Sequence, residues 1–437
     1  MVYNNSQTST YQIFIGLSSF QILAMFRRGL FYTYLSIYLY FFLNLSVTET
    51  TLYATLPMIM SVLFQNLVWG PLSDKFQRRR LLIILGEIIA GIGTLIVWGV
   101  HFVFENLYIA GYVIIIGLTI IEMFWSMSNI GWSALVSDIY PSKNRSKIMG
   151  YLTSIGGSGR IIGIFIGGFL YNGGLGFRYG SLFLIASLVM FISVIPMLIF
   201  APEGGTTLRE EIEDNYENES DNNQNNVFVF IIFIIALIFI NFGRNSISVP
   251  FPQYLKLESG FNVGDVMLSF IANMRSISVI LVGISAGLLS KKIGNALTLI
   301  VGTIIGITAL IIIATTPYLP IFFIGSFLVG TAEVIIYASS YAFASTLMPS
   351  RIRAKLFGVY NTTFFLSWGL ACTLISGPLI DFLINSGKSD IFAYQVAFLV
   401  GALICLIGLL LFTFLETWLT LKKRKLKKVL NKSNELI

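Results

Sequence analysis

Twelve stretches of this chain are each long and apolar enough to cross a lipid bilayer, and no other sequence feature restricts the fold as severely. They lie near 12–43, 52–72, 81–103, 107–136, 149–171, 179–200, 227–255, 264–289, 296–316, 320–347, 356–384 and 391–419. About 30 Å of hydrocarbon needs roughly 20 mostly apolar residues in a helix. Backbone polar groups in lipid must be bonded internally, which leaves helices or closed barrels. A barrel would show short alternating strands, so the expected fold is an all-α membrane protein with twelve transmembrane helices. Several spans exceed 25 residues, which predicts tilt. The first lacks a small-residue cleavage site and reads as a retained helix.

Composition removes whole classes of function. Only 11% of residues are charged and 56% are apolar, against about 25% charged in soluble proteins. A cytosolic enzyme, a nucleic-acid binder and a disulfide scaffold are therefore excluded. The two cysteines, Cys372 and Cys405, sit in apolar runs, and His101 is the one histidine. No catalytic residue, metal site or cofactor is expected. His101 falls at the end of its span and reads as interfacial.

Basic residues set the expected orientation. With the N-terminus inside, 20 of the 28 Lys and Arg residues fall on the cytoplasmic side. Only Arg178, Lys256 and Lys388 fall outside, and five lie within spans. By the positive-inside rule both termini are cytoplasmic, in a multi-pass protein of the cell membrane. The basic tail, 421–437, explains much of the net charge of +7 as attraction to anionic headgroups. Residues 203–226 are acidic and Asn-rich and predict a flexible cytoplasmic linker. It separates an N-terminal six-helix bundle, 1–202, from a C-terminal one, 227–420.

The halves repeat one another. At an offset of 216, Phe26, Arg28, Tyr38 and Lys75 fall on Phe242, Arg244, Tyr254 and Lys291. At an offset of 208, Pro141, Ser142, Arg145, Lys147 and Gly150 fall on Pro349, Ser350, Arg353, Lys355 and Gly358. Duplicated halves place a substrate site at their interface near the bilayer midplane. Between the second and third spans, the run from Gly70 through Asp74 and Lys75 to Arg78 and Arg79 resembles the loop signature of the major facilitator superfamily. It departs at Gln77, where that family has Gly. Gly287 to Gly294 resembles a degenerate second copy, and Asp138, Pro141 and Arg145 resemble the family's pattern after the fourth span. The resemblance covers the whole chain. It implies two six-helix bundles that rock about a central site to give alternating access. Asp74, Arg78, Asp138 and Arg145 would then form a cytoplasmic gate of ion pairs; the alternative is topology signalling by the basic residues alone.

A charge at mid-membrane costs about 2.5–3.5 kcal/mol even on lenient scales, so each needs a partner, a cavity or a function. Arg28, Arg160, Arg244 and Arg275 lie near span centres, with Glu122 and Glu333 at similar depth. The symmetry sets Arg28 opposite Arg244. Guanidinium forks onto carboxylate or phosphate, which points to an anionic substrate group between them. The layout resembles that of organophosphate–phosphate antiporters. Arg275 is a further candidate contact, and Arg160 is expected to pair with Glu122, either structurally or as a relay in proton coupling. For proton coupling, Glu122 and Glu333 are the candidates, because a desolvated carboxyl favours its neutral form and a nearby Arg its charged form. Aromatic and polar side chains share these faces: Tyr32, Trp125, Asn129, Tyr337, Tyr341, Asn361 and Trp368. The alternative for the arginines is a static role, paired with the glutamates to hold the bundle.

Glycines at 150, 159, 163, 167 and 168 resemble the fifth-helix motif of drug–proton exporters, with Ile164 in place of its proline. Close helix packing explains them equally well. The reading favoured by the sequence is a secondary active transporter of a small organic solute with an anionic group, coupled to protons. A proton-driven exporter of amphipathic drugs is the alternative, and a transporter-like nutrient sensor is a more distant one. Small solute, protons and lipid are the expected partners, nucleic acid is not, and the protein is expected to be a monomer.

Overall fold

The computed structural model describes residues 10–140, 142–204, 223–348 and 353–434. Twelve helices are long and apolar enough to span a membrane: α1 (Tyr11–Phe42), α2 (Val47–Phe76), α3 (Arg79–Val103), α4 (Leu107–Ile139), α5 (Ile148–Arg178), α6 (Ser181–Phe200), α7 (Val227–Lys256), α8 (Asp265–Gly283), α9 (Asn295–Thr315), α10 (Leu319–Leu347), α11 (Gly358–Asn385) and α12 (Asp390–Lys422). The helix of α8 continues to Ile293. The largest departure among the predicted starts is that of α2. There Ser46 and Glu49 form a reciprocal capping box, a Ser-x-x-Glu signal that was readable in the sequence.

The helices form two bundles, α1–α6 and α7–α12, with matching neighbours. α1 packs on α5 and α6, α3 on α4 and α6, and α2 on α4. In the second bundle α7 packs on α11 and α12, α9 on α10 and α12, and α8 on α10. α3 illustrates why the fold needs lipid. Leu81, Leu85, Ile89, Ile92 and Ile96 form an exposed apolar stripe, while Gly86, Glu87, Ala90, Gly91 and Thr94 are turned inward. Gly159 and Gly163 of α5 serve packing. A Cβ on Gly159 or Gly163 would lie 2.2 Å from the carbonyl oxygen of Ile22 or 2.0 Å from that of Phe26, on α1. Small residues four apart let two backbones meet.

Interruptions in α2, α7 and α11 bend these helices away from a regular α-helical course. In α2 the π-helical turn Gln65–Trp69 precedes Gly70-Pro71, and in α11 the turn Cys372–Ser376 precedes Gly377-Pro378. Each glycine N–H reaches back five residues, to Gln65 or Cys372, just before a proline that can donate nothing. α7 leaves the helix over 246–249 and resumes at Pro250. The freed carbonyls of Asn245 and Ser246 are met by the Cys372 thiol and the Ser376 hydroxyl of α11, as buried backbone groups require.

The two bundles join at the end opposite the 70–80 loop. There α2 meets α11 and α5 meets α8. The Asp381 carboxylate of α11 accepts the backbone N–H groups of Val47 (3.0 Å) and Thr48 (2.8 Å) at the start of α2. Thr373 bonds both Thr51 and Thr55 at 2.6 Å, and a Cβ on Gly369 would lie 2.6 Å from the Thr55 backbone. On the other pair, Asp265 of α8 accepts the Gly173 N–H at 3.0 Å and pairs with Lys256. His101 lies near this end, in the last turn of α3, and is buried within the protein. Its Nδ1–H donates to the Trp98 carbonyl, and Nε2 accepts from the Tyr38 hydroxyl at 2.8 Å.

Candidate functional site

A cavity of about 500 Å³ lies between the bundles. Arg28, Glu122 and Arg160 reach it from the first bundle, and Arg244, Arg275 and Glu333 from the second. All six midplane charges therefore meet in one space. Tyr32, Trp125, Tyr337, Asn361 and Trp368 also line it, whereas Asn129 and Tyr341 do not. Asn129 is half-buried elsewhere, and Tyr341 turns its ring edge to Tyr360. The end of the cavity nearest the joined helices has an aromatic floor. Tyr32 stacks on Tyr53, which meets Trp368 of the other bundle edge-on at 6.3 Å between ring centres.

The charges have specific neighbours. Arg275 binds Glu333 through Nε and Nη2, both at 2.7 Å from one carboxylate oxygen. Arg244 donates from Nε to Asn241 at 3.0 Å and lies over the Phe364 ring. Arg28 lies over the Trp125 ring, 4.8 Å from its centre, and Arg27 over the same ring at 4.1 Å. The indole N–H of Trp125 donates to Glu87 at 2.7 Å, and the Ser128 hydroxyl donates to the same oxygen at 2.8 Å. Glu122 forms no ion pair among the described residues; it faces the Ser61 hydroxyl, Arg28 and Arg27. Arg160 faces Arg275, Glu333 and Arg28. The expected partner of Arg160, Glu122, is thus not among the charges it faces.

Sequence reading did not give Arg27 and Glu87 a place at the site. Both are buried, at 6% and 2% exposure, and neither lines the cavity. The available signal was their polarity inside apolar spans; the missing one was the rotation of α3, which turns Glu87 inward.

The sequence matches the family model described as Major Facilitator Superfamily over residues 17–372 and again over 233–435. This chain belongs to the Major Facilitator Superfamily. No curated protein matches it significantly. Three solved members of similar architecture carry the likeness further. A variant of the nucleoside transporter NupG is 15% identical with a TM-score of 0.72, over 92% of this chain and 99% of that one. A bacterial homologue of the human lysosomal transporter Spinster, inward-facing and unoccupied, is 14% identical with a TM-score of 0.69, over 94% and 98%. A POT family transporter in complex with 5-aminolevulinic acid is also 14% identical, with a TM-score of 0.68 over 94% and 98%. At these identities the likeness is one of fold: an integral multi-pass membrane protein with the architecture of transporters of small molecules.

The superfamily signature at the 70–80 loop adopts a defined form. Gly70–Phe76 is helical and ends on Gln77 in the left-handed region, φ 52° and ψ 25°, the conformation glycine would take at no steric cost. Arg79 is buried and joins the two acids, reaching Asp74 at 3.1 Å and Asp138 at 3.2 Å, with Ser73 also bonded. The pairs expected of Arg78 are thus made by its neighbour, and all three charges belong to the first bundle. The side chain of Arg145 lies outside the described residues.

Proposed function

We propose that this protein is a secondary active transporter of a small organic solute bearing an anionic group, working by alternating access and coupled to protons. The observation that carries the reading is the cavity between the bundles, where four arginines meet only two carboxylates. An excess of buried positive charge is costly unless an anion visits it. The aromatic floor suits an organic body, and the seal at one end suits a state open toward the other. The positive-inside count favours the cytoplasm for the open side and for both termini, with the ion pairs of Asp74 and Asp138 belonging to the gate there. The protein acts as a monomer, since the cavity is complete within one chain.

Glu122 is the better proton carrier of the two carboxylates. Glu333 is held by Arg275 at 2.7 Å, whereas Glu122 has a hydroxyl and no ion pair among the described residues. A carboxyl so placed can lose its charge without stranding a bonded guanidinium. The exporter alternative loses most of its glycine argument, because Gly159, Gly163 and Gly167 are accounted for by contact with α1.

A thermal-shift screen of the purified protein tests the reading with organic anions, neutral sugars and lipophilic cations. A ligand at about 100 times its Kd adds roughly 2.7 kcal/mol of stability. Anions should raise the melting temperature and Arg244→Gln should abolish the rise. Stabilisation by lipophilic cations alone would sink the anion reading in favour of the exporter.

A further inference from the structure

The charges at the cavity divide into two groups, and the division changes which arginines are available to a ligand. The first group surrounds Trp125. Arg27 and Arg28 lie over its ring at 4.1 and 4.8 Å, and Glu87 holds its indole N–H at 2.7 Å. Glu122 faces the same two arginines. With Glu122 in its charged form, two guanidiniums and two carboxylates, contributed by α1, α3 and α4, balance in formal charge within a single bundle. The second group straddles the bundle interface. Arg275 and Glu333 form its ion pair at 2.7 Å, and Glu333 is also faced by Arg244 and Arg160. Neither Arg160 nor Arg244 forms an ion pair among the described residues, yet both line the cavity. Three cations here meet one carboxylate, an excess of two positive charges.

We infer that the ligand's charged group is a dianion, held between Arg160 of the first bundle and Arg244 of the second, while Arg28 stays with the neutral cluster around Trp125. The inference rests on the anion reading given above and narrows it. A monoanion would leave one buried positive charge uncompensated, and a dianion leaves none. Because Arg160 and Arg244 stand on different bundles, a dianion bridging them pulls the two halves together across the open side of the cavity. Binding is thereby tied to closure. Phosphate esters and dicarboxylates share this chemistry, and the guanidinium fork suits both.

The test uses one ring with different charges: phenyl phosphate and phthalate as dianions, benzoate as monoanion, benzyl alcohol as neutral control. Binding to the full-length purified protein is measured by titration calorimetry at mildly alkaline pH. At least one dianion should bind about tenfold or more tighter than benzoate, and the better of the two distinguishes a phosphate ester from a dicarboxylate. Arg160→Gln and Arg244→Gln should each weaken that dianion by at least about tenfold, as loss of a buried charge partner does, and should shrink its advantage over benzoate. Arg28→Gln should change it by less than about threefold. If Arg160→Gln does not fold, Arg160→Lys keeps the charge but loses the fork and should bind the dianion at least about threefold more weakly. Equal affinity for benzoate and both dianions, an Arg160→Lys protein that binds like the parent, or a larger loss in Arg28→Gln than in Arg160→Gln would overturn the inference while leaving the anion reading intact. Binding of benzyl alcohol but of no anion would instead remove the anion reading itself.

Discussion

Gln77 carries a positive φ of 52° at the end of the helix Gly70–Phe76, and a residue with a Cβ pays about 1 kcal/mol or more for that conformation. Gln77→Gly should therefore stabilise the protein by about 1 kcal/mol, read as a higher midpoint of thermal unfolding in detergent. At position 87 the sign reverses. Glu87→Ala strands the Trp125 N–H and the Ser128 hydroxyl, each about 1–3 kcal/mol when buried without an acceptor. Glu87→Gln keeps an acceptor and should lose less than half as much; equal losses would show that the charge, not the hydrogen bonds, matters most. The sequence made the polarity of these residues legible but not their pairings. Adjacent helical residues point about 100° apart, so whether Arg78 or Arg79 meets Asp138 depends on a rotation that hydropathy does not encode. The same blindness paired Arg160 with Glu122 when α5 turns it toward Glu333.

At the scale of helices, hydropathy was nearly sufficient. Eleven of the twelve spans begin within three residues of their predicted starts, since apolar length is a property of the segment alone. The interruption of α7 was not read, although Pro250 and Pro252 stand in the sequence as a warning. Contact between α1 and α5 yields a direct check on the glycines. Gly163→Ala should cost about 1–3 kcal/mol, the usual range for overpacking, because its Cβ would press on the Phe26 backbone, 2.0 Å from the carbonyl oxygen. Gly150→Ala, with nothing within 4 Å of the added carbon, should be close to neutral in the same denaturation assay. A Gly163→Ala protein as stable as the parent would show that the two helices can part cheaply.

For the whole molecule, the conformational cycle and the proton are the quantities to measure. Asp381 binds α2 from α11, so Asp381→Ala should weaken the closed end and lengthen the distance between spin labels placed on α2 and α11 there. An unchanged distance distribution would mean that the Thr373 contacts and Gly369 packing hold the seal unaided. Glu122→Gln should abolish accumulation driven by a pH gradient in proteoliposomes while leaving solute exchange intact; unchanged accumulation would move the proton site elsewhere. Duplication made the interface and its cavity legible in advance, because matched charges at Arg28 and Arg244 marked equivalent helices. It could not reveal that Trp125 withdraws one of them into a balanced cluster.

The seal also has a consequence for how such a protein can diverge. Its donors at Val47, Thr48 and Gly173 are peptide N–H groups, present whichever of the other side chains occupies those positions, proline apart. The acceptors are two individual aspartates, 265 and 381. Codon changes therefore act on only one partner of each of these three bonds, unlike the Thr373 contacts, where both partners are side chains. A lineage could retune how long the gate stays shut by altering those two codons, without any compensating change across the interface.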